Sequence, residues 1–358
     1  MTGSARLAAP AARSVHRTPE TLAPFEDGWR ELLVTLPGAS YFSTPDWILA
    51  SWEDLPARRR ADGEIVLWTG PQHEVEAVLP LLRARQRLHP RIPVPVDCWS
   101  LLGAGADAAD HGMLPARPWR RAELSARLRE RTGGRTLWLP AMDPDADTAL
   151  LPPGSRRIAR VTCPRLTVGP ETRAGSGGLR RKERQLARAG VSFRFVPPES
   201  MDAATLDAVL LLHARRLAVK GEATAFTPAR RDFHLGLQRR AAPGRGPAAL
   251  LAEREGVPVG ALYGFLWERT FAYYNGGWEA EFAPFSLGSV LHAIAVRTVA
   301  RTGVTRYDFL RGAESYKSAR FGAVDRFDEQ WLLARGASAR LAGAVLRAAR
   351  RPSRSPCA

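Results

Sequence analysis

The chain has 358 residues, 45% of them hydrophobic and 25% charged, and Lys+Arg 52 against Asp+Glu 36 gives a net charge of +16. This composition argues against a disordered chain, and the length fits two globular domains. The positive charge predicts attraction to polyanions such as nucleic acid, anionic membrane or phosphorylated cofactors. Because only Lys182, Lys220 and Lys317 are lysines, the arginine excess also fits the base composition of a GC-rich genome.

Cysteine usage and the N-terminus bear on compartment and metal binding. Cys98, Cys163 and Cys357 are odd in number and lie in no CxxC or Cys/His spacing, which argues against a disulfide scaffold and a structural zinc site. The N-terminus lacks the apolar core of a signal peptide, and no run is long enough for a membrane helix. We therefore expect a cytoplasmic protein with no metal and no membrane span.

The first half of the chain predicts a loose tail over residues 1–24 and a domain over residues 25–160. Two helices come first, in "EDGWRELLVTL", which has helical apolar spacing, and in "STPDWILASWEDL", which opens with capping residues and a proline. A hairpin follows, formed by "EIVLWTG" and "EVEAVLPLLRAR". Two further strands, "VDCWSLLG" and "RTLWLPAM", flank a helix in "PWRRAELSARLRER".

The second half predicts a domain over residues 161–337, after the proline- and arginine-rich connection "LLPPGSRRIARVTCPRL". Its elements are helices at 178–189, 202–219 and 229–240, a hairpin turning at Gly256, a strand "FAYYNGGW", a helix "SLGSVLHAIAVRTVART", a strand "RYDFL" and a last strand "FDEQWLLA". Residues 338–358 indicate a basic helix and tail. Since both halves share this order, we predict an α/β (α+β) fold of two duplicated domains, each a mixed central sheet flanked by helices.

The predicted helix that opens at Ser286 is a candidate anion site. Exposed amides in its first turn and the helix dipole favour a negative charge, and Gly288 would let a phosphate approach the backbone closely. The alternative is a capped amphipathic helix that binds nothing.

The segment "GSGGLRRKERQLARAG" predicts a helix with a broad cationic face formed by Arg180, Arg181, Lys182, Arg184 and Arg188. Such a face can contact phosphates or a nucleic-acid backbone. No aromatic residue interleaves with these cations, which argues against stacking on single-stranded bases. The alternative is an ordinary solvated surface.

The stretch "YDFLRGAESYKSARFG" combines two carboxylates, a tyrosine and a lysine: Asp308, Glu314, Tyr316 and Lys317. A carboxylate there could take a proton from an amine nucleophile, and Lys317 could stabilise negative charge on a carbonyl oxygen. The alternative is an ion pair that pins a loop. His213 and His292 fall on apolar helix faces and are interpreted as structural. The chain lacks GxSxG, HExxH, GxxxxGK[ST] and GxGxxG motifs, so hydrolase, kinase and dehydrogenase functions lose their usual support.

Six segments, in this order, resemble GNAT-superfamily acyltransferases of the CelD (cellulose-biosynthesis-like) type, which are related to the Fem-type aminoacyltransferases. They are "FSTPDWILASWED", "EVEAVLPLLRAR", "GLRRKERQLARAGVSFRF", "LLHARRLAVKGEATAFTPARRDFHLGL", "SLGSVLHAIAV" and "YDFLRGAESYKSARFG". The resemblance implies two GNAT-like domains and transfer of an acyl group to an amine. All three lysines of the chain fall inside these segments.

The resemblance also implies a donor and its site. GNAT enzymes typically use acetyl-CoA or another acyl-CoA and hold its pyrophosphate at a helix start, which corresponds here to Ser286, Leu287, Gly288 and Ser289. Fem-type relatives use aminoacyl-tRNA, and "YKSARFG" resembles their Phe-Lys-x-x-Phe-Gly element. Because only "FSLGS" remains of the Gln/Arg-x-x-Gly-x-Gly/Ala loop, both donors stay open.

Three hypotheses follow for the function. In the first, an N-acyltransferase works by direct attack of a small-molecule or cell-envelope amine, with Glu314 or Asp308 assisting deprotonation, Lys317 stabilising the oxyanion and Tyr316 as a further catalytic candidate. In this hypothesis Arg181, Lys182 and Lys220 contact substrate or phosphate. The second is a Fem-like aminoacyltransferase with tRNA as partner. The third is a non-catalytic binding module in polysaccharide or envelope assembly.

Overall fold

The computed structural model describes residues 12–89, 92–104, 109–146, 148–220, 226–227 and 230–349. The chain divides into two compact units. The first consists of Met1–Arg160 together with Asp328–Ala358, and the second is Val161–Phe327.

The first unit is built on a seven-stranded sheet with helices packed against it. Its strands are β1 (Ala12–His16), β2 (Gly63–Thr69), β3 (Val75–Arg87), β4 (Pro95–Leu101), β5 (Thr136–Met142), β6 (Arg156–Thr162) and β13 (Phe327–Leu333). Its helices are α1 (Glu26–Val34), α2 (Pro45–Glu53), α3 (Ala57–Arg60), α4 (Arg121–Thr132) and α10 (Ser338–Ala349). The strand order is β1-β2-β3-β4-β5-β13-β6, in which β4 and β5 run parallel. Every residue of β2 and β5 is buried, as expected for strands covered on both faces.

The position of β13 corrects the predicted domain boundary. Residues 328–337, assigned from sequence to the second domain, belong to the first unit, where β13 lies between β5 and β6. Two sets of side-chain contacts favour this place: the buried Asp328 accepts from the backbone N–H of His111 at 2.7 Å and contacts its Nδ1 at 2.8 Å, and Glu329 binds Arg157 of β6 at 2.6 Å.

The predicted tail also differs from the structure. Residues 12–16 form β1, which pairs antiparallel with β2, and a 3-10 helix covers Pro19–Phe25 with Leu22 fully buried. An apolar anchor and an edge strand therefore order a stretch whose alanine, proline and arginine content predicted a loose segment. Residues 1–11 lie outside the described part.

The second unit is built on a six-stranded sheet. Its strands are β7 (Arg165–Thr167), β8 (Val191–Val196), β9 (Gly246–Arg254), β10 (Val257–Trp267), β11 (Thr270–Trp278) and β12 (Arg306–Asp308), in the order β7-β12-β11-β10-β9-β8. Its helices are α5 (Gly177–Arg188), α6 (Ala203–Lys220), α7 (Arg231–Arg239), α8 (Leu287–Ala300) and α9 (Ser315–Phe321). The neighbouring strands pair antiparallel except β11 and β12, which are parallel.

Alternation along β10 divides the core of the second unit between two faces of the sheet. Leu262 and Leu266 join the apolar cluster that contains residues of α5 and α8. Tyr263, between them in the strand, contacts His234 of α7. Two mixed sheets flanked by helices confirm the predicted α/β fold class.

Candidate active site

Two parallel strands of the second unit, β11 and β12, stop pairing part-way along β11. β11 pairs with β12 only over Thr270–Ala272, whereas β11 itself continues to Trp278 beside β10. The β10–β11 register shifts at Tyr263/Gly264, so that Tyr274 forms a bulge in β11. Beyond Ala272, the edge of β11 on the β12 side therefore pairs with no strand in the described part of the chain. Ligands in α/β sheets commonly bind at such a divergence of parallel strands.

The first turn of α8 follows β11 after a 3-10 helix over Ala280–Phe285, and it presents backbone donors. Ser286 precedes the helix in the left-handed region (φ 53°), and its carbonyl accepts from the N–H groups of Ser289 and Val290. The helix begins at Leu287, so the amides of Leu287 and Gly288 have no acceptor within it. Both amides and the positive end of the helix dipole suit an anion.

Gly288 has a packing reason as well. A Cβ at this position would lie 2.6 Å from Cη2 of Trp278, and Trp278 in turn carries the Arg216 guanidinium 4.4 Å from its ring centroid. Packing of α8 against the Trp278 ring therefore also requires a glycine here, in addition to the predicted role of letting a phosphate approach the backbone closely.

Two cations flank the first turn of α8. The Lys182 ammonium donates to the Pro284 carbonyl at 2.8 Å, and Arg320 Nη1 donates to Ser289 Oγ at 2.9 Å. Lys182, predicted from sequence as a phosphate contact, thus lies beside the predicted anion site. Arg181 is exposed on α5. Lys220 ends α6, and its side chain lies outside the described residues.

A network of one histidine and three tyrosines lines the sheet beside this turn; His292 and Tyr307 are buried, and Tyr273 and Tyr316 are half-buried. His292 Nδ1 contacts the Tyr307 hydroxyl at 2.8 Å, and Nε2 contacts the Tyr316 hydroxyl at 3.4 Å. The Tyr273 ring meets the His292 ring edge-on, with centroids 4.5 Å apart. The sequence assigned His292 to the core and selected only Tyr316 of these four. The others come from β11, α8 and β12, and no local motif marked them.

Burial determines the protonation of this network. It raises the pKa of Tyr273, Tyr307 and Tyr316 well above the usual range of phenols, and it lowers the pKa of His292 to about 3, with a further contribution from the Lys317 charge. At neutral pH the tyrosines are therefore protonated and the imidazole is neutral. Such a network can donate protons or hydrogen bonds but holds no anionic base.

Lys317 is buried, 2% exposed, and holds the loop that precedes α9. Its ammonium contacts the carbonyls of Gly312 (3.0 Å), Arg311 (3.4 Å) and Phe309 (3.5 Å), and it pairs with Glu314 at 2.8 Å. These acceptors can engage all three N–H groups of the ammonium. The geometry thus agrees with the loop-pinning alternative for Lys317, whereas Glu314 keeps 57% of its side chain exposed.

Asp308 also accepts a hydrogen bond from the backbone of this loop. It is fully buried; Oδ2 accepts from Arg165 Nε at 2.7 Å, and Oδ1 accepts from the backbone N–H of Leu310 at 2.8 Å. Leu310 has a φ of 51°, an unusual conformation for a bulky residue. Strained residues are common at functional sites. Of the two predicted carboxylates, Glu314 is therefore the one that solvent and substrate can reach.

The other face of the same sheet carries a second aromatic cluster that the sequence did not predict. His213 Nδ1 donates to the Gly276 carbonyl at 2.9 Å, and His234 Nδ1 contacts the Tyr263 hydroxyl at 3.1 Å. The Tyr274 ring lies 5.9 Å from that of His234. Both faces of β11 near the bulge are thus lined with hydrogen-bonding rings.

Stability is expected to fall on acidification because His234 and His292 are buried in neutral form. Burial lowers the pKa of each to about 3 from 6.5. Between pH 6.5 and about 3 the unfolded state binds more protons, so the free energy of unfolding decreases as pH falls through this window. Each histidine should lower the free energy of unfolding by roughly 1 kcal/mol when the pH is lowered from 7.5 to 5.5.

Urea unfolding at the two pH values measures this effect. His292→Gln and His234→Gln should each remove the contribution of one histidine to the pH dependence of the free energy of unfolding. This holds even if the substitution lowers stability at pH 7.5. An unchanged pH dependence in both variants would contradict the assignment of these neutral, buried rings.

Comparison with known families agrees with this geometry. Residues 173–318 match the family model described as an acetyltransferase (GNAT) domain, which is less than half of the chain. The matched residues all lie within the second unit. No curated protein sequence matches the chain. Among the described residues, no helix has both the length and the apolarity that crossing a membrane requires.

Solved structures resemble the fold across both units. FemX is 12% identical with a TM-score of 0.57, covering 90% of this chain and 96% of its own. L-PGS from Bacillus licheniformis is 15% identical with a TM-score of 0.56, covering 91% of this chain and 97% of its own. The C-terminal domain of a protein assigned as lysylphosphatidylglycerol synthetase from Agrobacterium fabrum is 12% identical with a TM-score of 0.56, covering 91% and 96%. At these identities the likeness concerns the fold alone.

Proposed function

We propose that the second unit binds an acyl-CoA and transfers its acyl group to an amine by direct attack. The observation that carries this proposal is the end of β11–β12 pairing next to the first turn of α8, within the residues that match the GNAT family model. Acyl-CoA supplies a thioester whose carbonyl carbon an amine can attack. The amine class of acceptor rests on the family resemblance, and we propose a small-molecule or cell-envelope amine.

The donor phosphates would be held at the start of α8. The amides of Leu287 and Gly288 point their donors out of the helix end, while Lys182 and Arg320 lie beside it through Pro284 and Ser289. Amides, dipole and two cations form an arrangement that fits a pyrophosphate. No metal is needed for this role in the proposal.

Two side chains of the site would transfer protons in this reaction, one from the attacking amine and one to the leaving thiolate. The attacking amine forms the N–C bond and loses a proton to the exposed carboxylate of Glu314, directly or through water. As the C–S bond breaks, the leaving thiolate takes a proton from the Tyr316 phenol, whose raised pKa keeps it protonated. In this proposal Lys317 is a positioning residue that fixes Glu314 and the loop rather than the group that stabilises the oxyanion.

Ser289→Glu is expected to abolish acyl-CoA binding without lowering the melting temperature. A carboxylate in the first turn stabilises a helix through its dipole but repels a phosphate at the same amides. Ala204→Glu, at an exposed position in the first turn of α6, is the matched control and should bind as the parent does. Isothermal calorimetry with acetyl-CoA and longer acyl-CoA thioesters measures the difference.

An aminoacyl-tRNA donor is the second candidate, and the same experiment separates it. Two observations favour it: the fold likeness to FemX and L-PGS, and the net charge of +16. If no acyl-CoA gives heat while an RNase-sensitive preparation of charged tRNA supports transfer, the donor in the first proposal is wrong and the Fem-like function is right.

A further inference from the structure

A cationic groove lies in the second unit at the opposite end of α8 from the proposed donor site. Its volume is 590 Å³, and its walls are the loop over residues 170–174, one face of α5 and the last turn of α8. Five arginines line it, namely Arg173, Arg180, Arg184, Arg297 and Arg301. Two glutamates also line it, of which Glu183 is paired with Arg297 at 2.7 Å.

Of the five groove arginines, Arg297 is paired with Glu183, and the other four lack an anionic partner in the described part of the chain. Among the described residues, Arg173, Arg180, Arg184 and Arg301 make no side-chain hydrogen bond or ion pair. Some exposed arginines on other surfaces of the same unit are paired, among them Arg194 with Glu253 and Arg231 with Asp207. In both of these ion pairs the guanidinium group is in direct contact with the carboxylate.

The spacing of the groove arginines is unfavourable without a ligand. Arg180 and Arg184 are four residues apart on α5, and Arg297 and Arg301 are four residues apart on α8. Like charges at this spacing repel within a helix; Glu183 balances the charge of Arg297, so the repulsion is strongest between Arg180 and Arg184. An anion that bridges the helices would convert this repulsion into charge-assisted hydrogen bonds.

We propose that this groove binds the sugar–phosphate backbone of a nucleic acid, independently of base sequence. Guanidinium groups recognise phosphate oxygens through paired N–H donors. The lining contains no aromatic ring on which bases could stack, so the contacts are to phosphates. A membrane surface fits less well, because the site is concave and its apolar lining is limited to Pro170, Ala174 and Ala187.

The groove is separate from the proposed acyl-donor site. α8 has 14 residues, so its two ends lie about 20 Å apart. Ligands at the two ends therefore use different residues, and loss of one site should leave the other intact.

Fluorescence anisotropy with a labelled RNA hairpin tests the proposal on the full chain. Arg180→Ala/Arg184→Ala should weaken binding about tenfold or more at 100 mM salt and reduce the slope of log affinity against log salt by about 2. Arg194→Ala/Arg231→Ala removes the same net charge from paired, exposed sites and should weaken binding less than twofold. A hairpin of unrelated sequence should bind the parent protein equally well.

Four outcomes would overturn the proposal. They are an equal loss of affinity in both double variants, displacement of the RNA by acetyl-CoA, a strong dependence on base sequence, and binding to phosphatidylglycerol vesicles without binding to RNA. Arg301→Gln serves as a second groove variant, and unchanged melting temperatures for all variants exclude misfolding. Acyl-CoA calorimetry on Arg180→Ala/Arg184→Ala should match the parent, so failure here is distinguishable from failure of the proposed enzymatic function.

Discussion

Lys317→Met is expected to lower the free energy of unfolding by about 3 kcal/mol and the proposed transferase activity at least 100-fold. Methionine fills a similar volume but leaves the carbonyls of Phe309, Arg311 and Gly312 without their buried donor. A buried polar group that loses its partner costs about 1–3 kcal/mol. Urea unfolding and acyl-transfer assays measure the two effects.

Three further variants isolate the cause. Lys317→Arg keeps the charge, but a planar guanidinium cannot direct donors to carbonyls grouped around one ammonium, so it should resemble Lys317→Met. Glu314→Gln removes only a half-exposed partner and should cost less than about 1 kcal/mol in stability. Ser318→Ala, one residue along and exposed, should be neutral. Parent-like stability of Lys317→Arg would contradict the positioning role.

Asp308→Asn is expected to lower the free energy of unfolding by about 3 kcal/mol, because it leaves the largely buried Arg165 without its counter-charge. The Asn side chain retains an oxygen for the Leu310 amide, so the loss reports mainly on the ion pair. Chemical denaturation measures it. A catalytic base would behave differently, since its amide variant would lose turnover while keeping stability.

The double variant Arg165→Met/Asp308→Leu provides the matched control for Asp308. Replacing both charges by apolar side chains should recover much of the stability lost in Asp308→Asn. If Asp308→Asn is as stable as the parent but inactive, Asp308 rather than Glu314 is the base.

Local patterns predicted most elements of both sheets. The expected helices at 178–189 and 202–219 correspond to Gly177–Arg188 and Ala203–Lys220, because apolar spacing and capping residues are encoded within each segment. Strand partners are not encoded in this way. "FDEQWLLA" was recognisable as a strand, but its place between β5 and β6 depends on buried contacts of Asp328 and Glu329 with distant residues.

The candidate site was predictable in part for the same reason. Lys317 could be singled out because lysine is rare in this chain, and the structure supplies the cause, an ammonium surrounded by carbonyls. His292 looked like an ordinary core residue, since its partners Tyr273 and Tyr307 lie on separate strands. The groove arginines were seen as one helical face, whereas their convergence with Arg297 and Arg301 requires the packing of α5 against α8.

The place of β13 affects the order in which the chain can fold during synthesis. When a ribosome has produced residues 1–160, the first sheet still lacks the strand that separates β5 from β6. That strand emerges only after all residues of the second unit, whose last described strand ends at residue 308. The half encoded first is therefore completed last, and a cut at residue 160 cannot release it as an intact domain.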